Sequence, residues 1–220
     1  MTSTPAPGSA FLIIPETGPG PGVLLLHSWW GLTPELEAMA RALAVEGYSV
    51  LVPNLFDADA PADAATAERL LLESDPNITA LFVLSSIVAL RANSADPTAP
   101  VAVVGFSMGA SWALWAATRQ PQSVNAVVAY YGTQDIDFED LNAPVLGHFA
   151  EDDALVTDDD VAAMQAHLLL LGKSVEVHRY PGTRHWFAEP VAPDHYDVGA
   201  AALAWDRTLE FLAAHRPASW

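Results

Sequence analysis

The chain has 220 residues, a length typical of a single domain, and its 51% hydrophobic content excludes an intrinsically disordered protein. Nine Lys and Arg residues against 27 Asp and Glu give a formal net charge of −18, which disfavours binding to nucleic acid or to an anionic membrane surface. The absence of cysteine excludes disulfides, thiolate metal sites and a cysteine nucleophile.

The N-terminal residues 1–9 are small and proline-rich, without the basic and apolar regions of a secretory signal. The longest lipophilic stretch, residues 78–90, has 13 residues, whereas a helix that spans a membrane needs about 20. We therefore expect a cytoplasmic protein without a membrane-spanning segment, and we interpret residues 78–90 as a buried core helix.

Short apolar runs along the chain predict six strands, with an additional early strand near residues 11–14. The middle runs are apolar on both faces, as the strands of a parallel sheet covered on both sides must be. The six predicted strands are residues 23–26, 49–52, 101–104, 126–129, 145–149 and 175–177.

Helix start signals separate these strands. Thr33 is a candidate N-cap before Pro34, Asp75 precedes a second such proline, and Thr157 precedes three aspartates. Residues 58–67 are predicted to be a loop that runs into a helix. Strands separated by helices indicate right-handed crossovers, so we predict one α/β domain over residues 1–220, with a mostly parallel central sheet and helices on both faces.

A G-x-S-x-G motif lies between the predicted strand 101–104 and a helical run. We call this motif, Gly105-Phe106-Ser107-Met108-Gly109, the nucleophile elbow. In this context the serine is strained and presents its hydroxyl, and glycines flank it because side chains there would collide with the neighbouring strand and helix. The helix N-terminus also supplies partial positive charge where an oxyanion would form. Ser107 is therefore the candidate nucleophile.

A serine nucleophile needs a histidine base and a carboxylate to orient it, which in this arrangement follow in the order Ser, Asp or Glu, His. His185 lies in a loop just after a predicted strand, at the edge where parallel sheets carry their active sites, and His195 is the second candidate. Glu151, Asp152 and Asp153 follow the predicted strand 145–149, and spacing alone does not choose among these acids.

Several segments, in order along nearly the whole chain, resemble the dienelactone hydrolase family, a branch of the α/β-hydrolases without a cap domain. They are residues 27–32, 46–55, the nucleophile elbow, and residues 130–132, 149–156, 185–188 and 205–209. The resemblance implies an α/β-hydrolase fold in which Asp153 is the triad acid and His185 the base. It also assigns the oxyanion hole to the backbone N–H groups of Met108 and Trp29.

Three residues depart from the family pattern. Ser107 replaces a cysteine nucleophile, Ser28 replaces a glutamate that helps to activate the thiol, and Glu189 replaces an arginine that binds the substrate's carboxylate. The first two changes agree with each other, since a hydroxyl deprotonated by His185 needs no glutamate to manage thiol ionisation. An acid at position 189 would repel a carboxylated substrate, so we expect small neutral or aryl esters to be preferred over dienelactone.

The predicted function is hydrolysis of a carboxylic ester or lactone through a covalent acyl-enzyme, with no metal or other cofactor. The predicted substrate contacts are Ser28, Trp30, Trp186, Phe187 and Glu189, with core packing an equal alternative for Trp30. The alternative functions are a thioesterase, peptidase or polyester hydrolase on the same fold, or a ligand-binding protein that does not catalyse. We expect a small-molecule ester or lactone as the partner, and a monomer or small homo-oligomer.

Overall fold

A seven-stranded sheet forms the centre of the molecule, which the computed structural model describes over residues 10–56 and 58–217. The strands are β1 (Ala10–Ile13), β2 (Gly22–Leu26), β3 (Ser49–Pro53), β4 (Val101–Phe106), β5 (Val124–Tyr130), β6 (Val145–Asp152) and β7 (Val175–Arg184). Their spatial order is β1-β3-β2-β4-β5-β6-β7; β1 pairs antiparallel with β3, and the other neighbours pair in parallel. The predicted mostly parallel sheet is confirmed, while residues 1–9, predicted to carry no secretory signal, lie outside the described part of the chain.

Six helices accompany the strands, five of them between strands and the last one after β7. They are α1 (Pro34–Val45), α2 (Ala64–Glu73), α3 (Pro76–Ala92), α4 (Met108–Arg119), α5 (Asp158–Leu170) and α6 (Val198–Ala214). The predicted start signals are confirmed, because the side chains of Thr33, Asp75 and Thr157 each accept a hydrogen bond from a backbone N–H in the first turn. No cap domain is inserted among the described residues, since these helices and the connecting loops account for the whole path between strands.

Two hydrophobic cores hold the sheet, one on each face. Val23 and Leu25 of β2 pack into the core with α1 and α6, whereas Leu24 and Leu26 pack into the core with α3, α4 and α5. This alternation follows from the period of two in a strand. All residues of β2 are buried, as expected of a central parallel strand with helices on both sides.

The interpretation of residues 78–90 as a buried core helix is wrong in part. In α3, Val83, Ile87 and Leu90 are buried against the sheet, but Ile78 is 67% exposed and Leu81 70%. The helix covers the surface of the sheet, so only its inner side is enclosed although its outer side is also apolar. No single helix among the described residues has the length and composition to span a bilayer; α2 and α3 meet that test only as a pair, which is bent by 91°.

Five of the strands end directly before residues that matter for the site. His27 follows β2, Ser107 follows β4, Tyr131 follows β5, Asp153 follows β6 and His185 follows β7. Because the carboxyl ends of parallel strands meet at one edge of a sheet, the topology brings residues distant in sequence together there.

Candidate active site

The serine of the nucleophile elbow lies at a sharp turn between β4 and α4. Its backbone has φ 52° and ψ −116°, a conformation that residues with a side chain rarely adopt. A Cβ at Gly105 would lie 2.2 Å from the carbonyl oxygen of Gly109, and a Cβ at Gly109 would lie 2.5 Å from those of Leu26 and His27. Backbone atoms therefore leave no room for a side chain at either glycine, which is the steric requirement that the motif predicts.

Ser107, His185 and Asp153 form a hydrogen-bonded chain across this edge. Oγ of Ser107 lies 2.8 Å from Nε2 of His185, and Nδ1 of His185 lies 2.7 Å from Oδ2 of Asp153. The side chains of His185 and Asp153 are only 4% and 3% exposed. One ring nitrogen thus faces a hydroxyl whose proton it can accept, and the other faces a carboxylate that can fix the orientation of the ring.

The three acids after β6 occupy different environments. Oδ1 of Asp153 accepts hydrogen bonds from the N–H groups of Leu155 and Val156, both at 2.9 Å, which leaves Oδ2 directed at the imidazole. Glu151 and Asp152 are exposed; Glu151 accepts a hydrogen bond from a backbone N–H, and Asp152 lies 3.7 Å from a guanidinium nitrogen. Only Asp153 of the three contacts His185.

His195, the second candidate for the base, contacts the backbone rather than the elbow. Its Nδ1–H donates to the carbonyl oxygen of His185 at 2.9 Å, and its ring meets that of Trp186 edge to face. His195 therefore contacts the segment that carries His185, and its ring is not hydrogen-bonded to the Ser107 hydroxyl.

Tryptophan rings cluster beside the histidine. The rings of Trp29 and Trp186 stack with centroids 4.8 Å apart, and Trp30 meets both edge to face. The indole N–H groups of these three residues are buried and find no hydrogen-bond acceptor within the described chain. Trp186 also packs edge to face on His185, with centroids 4.8 Å apart, so this aromatic cluster is continuous with the hydrogen-bonded chain.

Comparison with known proteins identifies the family. The model of the dienelactone hydrolase family matches residues 9–216. The chain belongs to the dienelactone hydrolase family. Protein usf of Aquifex pyrophilus is 29% identical over 211 residues, covering 92% of this chain and 91% of its own, and the carboxymethylenebutenolidase of Rhodococcus opacus is 28% identical over 216 residues, covering 90% and 82%.

Solved structures agree with this assignment at the level of the fold. A dienelactone hydrolase-like promiscuous phosphotriesterase from metagenomic libraries superposes with a TM-score of 0.84 at 22% identity, over 94% of this chain and 92% of that one. The predicted α/β-hydrolase fold is confirmed, and as a dienelactone hydrolase family member the protein is an ester-hydrolysing enzyme.

Glu189, a departure from the dienelactone hydrolase pattern, is buried within the site. The Ser28 hydroxyl donates to its Oε1 at 2.7 Å, and the Tyr131 hydroxyl donates to its Oε2 at 2.8 Å. Burial raises the pKa of this carboxyl to about 7, and the two hydroxyl donors oppose that shift only in part. Both oxygens are directed at protein hydroxyls, so the expected contact of Glu189 with substrate stays a prediction.

Tyr131 is a residue of the site that the sequence reasoning missed. It is fully buried with φ 37°, and its ring centroid lies 4.9 Å from that of His185. Its signals in the sequence are its position directly after a predicted strand and its place in the family-resembling segment 130–132, neither of which assigns it a role. Phe187, predicted to contact substrate, is also fully buried; its ring packs against Tyr131 and Tyr180, which is a core position.

A fixed loop after β2 carries the amide predicted for the oxyanion hole. His27 is fully buried, its Nε2 accepts from the Leu55 N–H at 2.8 Å, and its Nδ1–H donates to the Ser28 carbonyl at 2.6 Å. Burial lowers the pKa of His27 to about 4, so the ring is neutral and suited to one donor and one acceptor bond. Trp29 follows these anchored residues, whereas Met108 opens α4; the roles of their N–H groups stay predictions.

Within residues 10–56 and 58–217, no three His, Asp or Glu side chains group closely enough to hold a metal ion.

Proposed function

We propose that this dienelactone hydrolase family member is a serine esterase that cleaves small neutral or aryl carboxylic esters or lactones through a covalent acyl-enzyme. The observation that carries the proposal is the chain Ser107 Oγ–His185 Nε2 at 2.8 Å and His185 Nδ1–Asp153 Oδ2 at 2.7 Å. These distances suit proton transfer from a hydroxyl to a histidine base that a carboxylate orients.

The reaction begins when Oγ of Ser107 attacks the ester carbonyl carbon and its proton passes to Nε2 of His185. The carbonyl oxygen becomes an oxyanion, which the N–H groups of Met108 and Trp29 stabilise. His185 then gives the proton to the leaving alcohol as the C–O bond breaks, which leaves an acyl group on Ser107. Water, deprotonated by His185, attacks the acyl group and releases the acid and the free hydroxyl.

The charges and rings of the site support neutral, apolar substrates. The chain has a formal net charge of −18 and carries Glu189 where carboxylate-binding relatives would have a cation. The cluster of Trp29, Trp30 and Trp186 offers apolar aromatic surface beside His185. Thioester, peptide and polyester cleavage would use the same chain of residues, so these substrates belong in the same assays. The cytoplasmic location and the monomeric or small homo-oligomeric state stay predictions.

Covalent labelling tests the nucleophile. A fluorophosphonate probe should label the wild-type protein at Ser107, and Ser107→Ala should abolish both labelling and esterase activity. Ser111→Ala is the matched control, because Ser111 lies one turn further along α4 and donates to the Thr133 carbonyl at 2.7 Å. Labelling that persists in Ser107→Ala at another serine would contradict the assignment.

A pair of esters of similar size tests the preference for neutral substrates. p-Nitrophenyl butyrate and mono-p-nitrophenyl succinate differ mainly in a terminal carboxylate. Above pH 7, where the Glu189 carboxyl is ionised, a repulsion of about 1 kcal/mol corresponds to roughly a five-fold higher kcat/KM for the neutral ester at low salt. The ratio should fall as salt is added, because salt screens the repulsion. Equal kcat/KM values at low salt would refute the preference and leave the serine mechanism standing.

A further inference from the structure

Glu189 is a buried carboxyl group without a cationic partner among the described residues. It forms no salt bridge within residues 10–56 and 58–217, and the residue is only 7% exposed. Its two oxygens instead accept hydrogen bonds from two hydroxyl groups, one of Ser28 and one of Tyr131. Burying a carboxyl without a cation costs stability, so stability does not explain its presence.

The first of these hydroxyl groups connects Glu189 to the loop after β2. Oγ of Ser28 donates to Oε1 of Glu189 and accepts the N–H of Trp30 at 3.2 Å. The Ser28 carbonyl accepts the N–H of Gly31 at 3.1 Å, which closes the turn. Trp29 lies within this turn, so the carboxyl fixes the segment whose Trp29 amide we propose as an oxyanion donor.

The second hydroxyl group connects Glu189 to the ring beside His185. The Tyr131 hydroxyl donates to Oε2, while its ring packs on the imidazole and its N–H donates to the His148 carbonyl at 2.7 Å. The N–H of Glu189 itself donates to the Trp186 carbonyl at 2.9 Å, which closes a turn that begins directly after His185. Three segments that surround Ser107 thus converge on one carboxyl group.

We propose that Glu189 is a positioning residue, which holds the Trp29 amide and the His185 ring in place for the reaction at Ser107. The inference rests on the proposed serine mechanism and deepens it, since it concerns the same site. Glu189 acts through Ser28 and Tyr131 and does not itself touch the reacting atoms. A misplacement of about 1 Å in such a site can lower the rate about 10²-fold.

Glu189→Gln is the central variant, because it keeps the shape of the side chain but replaces one acceptor oxygen by a donor. We expect kcat for p-nitrophenyl acetate to fall roughly 10- to 100-fold with KM changed less than about three-fold. A trifluoromethyl ketone that adds to Ser107 resembles the tetrahedral intermediate, so its Ki should rise by the same factor as kcat falls. Glu176→Gln is the matched control, since that carboxylate is 60% exposed and pairs with His178, and it should leave kcat unchanged.

Ser28→Ala and Tyr131→Phe test each connection separately and keep the inference testable if Glu189→Gln does not fold. Each should lower kcat with KM nearly constant. Each double variant with Glu189→Gln should lose less activity than the product of the two single losses, because both changes break the same contact. Losses that simply multiply, or single variants with wild-type kcat, would overturn the inference.

The labelling and kinetic results distinguish a failure of the positioning role from a failure of the proposed serine esterase function. If the wild-type protein is not labelled by a fluorophosphonate at Ser107, the proposed function fails. If it is labelled and Glu189→Gln retains kcat within two-fold, only the positioning role fails. A raised KM with an unchanged kcat would also overturn that role, because it would place Glu189 in contact with the substrate.

Discussion

The two carboxylate oxygens of Asp153 accept hydrogen bonds from different partners, which makes Asp153→Asn a sharp test of the site. Oδ2 accepts from Nδ1 of His185, whereas Oδ1 accepts from the N–H groups of Leu155 and Val156, each at 2.9 Å. An asparagine has one acceptor oxygen and one NH₂ group. Its oxygen must stay with the two backbone donors, because the reverse orientation would set NH₂ against two N–H groups. The NH₂ group would therefore face His185.

An imidazole that faces an NH₂ group must accept at Nδ1, and its proton then resides on Nε2. Nε2–H would point at Oγ of Ser107, which lies 2.8 Å away, and could not take the serine proton. The corresponding change in a serine protease triad lowers kcat about 10⁴-fold. At 1.36 kcal/mol for each factor of ten, that loss is about 5 kcal/mol of transition-state stabilisation. We expect a loss of this order here with little change in KM.

The assay is steady-state hydrolysis of p-nitrophenyl acetate, with urea denaturation to verify that each variant is folded. Asp152→Asn is the matched control, because Asp152 is exposed and lies 3.7 Å from the Arg184 guanidinium, and surface ion pairs contribute about 0–1 kcal/mol. Its kcat should stay within about two-fold of wild type. More than a tenth of the activity retained in Asp153→Asn, or a larger loss of kcat in Asp152→Asn, would refute the assignment of Asp153 as the triad acid.

Two further predictions concern stability. In the folded state the Glu189 carboxyl has a pKa of about 7 instead of 4.5, so the free energy of unfolding of the wild type should fall as pH rises through that interval. Glu189→Gln should remove up to about 3 kcal/mol of this pH dependence, measured by urea denaturation at several pH values. Parallel curves of unfolding free energy against pH for the two proteins would contradict the prediction. Gly109→Ala should destabilise the protein by roughly 1–3 kcal/mol, because its Cβ would lie 2.5 Å from two carbonyl oxygens. Gly199→Ala should be neutral or stabilising, because the atom nearest to its Cβ would lie 3.5 Å away. Equal melting temperatures for the two alanine variants would contradict the steric reasoning.

The sheet and the helix starts were predictable because their signals are local. A strand buried on both faces is a short apolar run, and an N-cap is one polar residue before a helix, as at Thr33 and Thr157. The outer side of α3 was not predictable in this way, since apolar residues such as Leu81 also occur on surfaces. The apolar pattern of a helix indicates which residues can be buried. Whether each of them is buried depends on which other elements pack against the helix in the fold.

The site was predictable only where a motif fixes the local geometry. The elbow around Ser107 has such a motif, whereas Asp153 could be chosen over its two acidic neighbours only by family resemblance. The contacts of Glu189 with Ser28 and Tyr131 span 161 and 58 residues, and nothing in the local sequence of any of the three encodes them. Long-range polar contacts depend on which strand ends lie next to each other at the edge of the sheet. The sheet topology determines this, and the local sequence pattern does not.

Backbone strain is concentrated at this edge of the sheet. Among the described residues, Ser107, Tyr131 and Trp186 are those with a side chain and positive φ, at 52°, 37° and 67°, and they surround His185. Such conformations cost of order 1–3 kcal/mol each and persist where the surroundings enforce them. Tyr131 and Trp186 belong to the hydrophobic core on the α1 and α6 face, whose packing holds them in place.

Comparing Ser107→Gly with Ser107→Ala measures the strain at the elbow. Both variants lose the hydroxyl, so their difference isolates the cost of carrying a Cβ at φ 52° and ψ −116°. Glycine removes a strain of about 1–3 kcal/mol but loses roughly 0.5–1 kcal/mol through the greater entropy of its unfolded chain. Ser107→Gly should therefore be more stable than Ser107→Ala by about 1 kcal/mol in urea denaturation. If alanine is the more stable of the two, the strain at the elbow is smaller than the entropic cost of glycine, which refutes a strain of about 1–3 kcal/mol there.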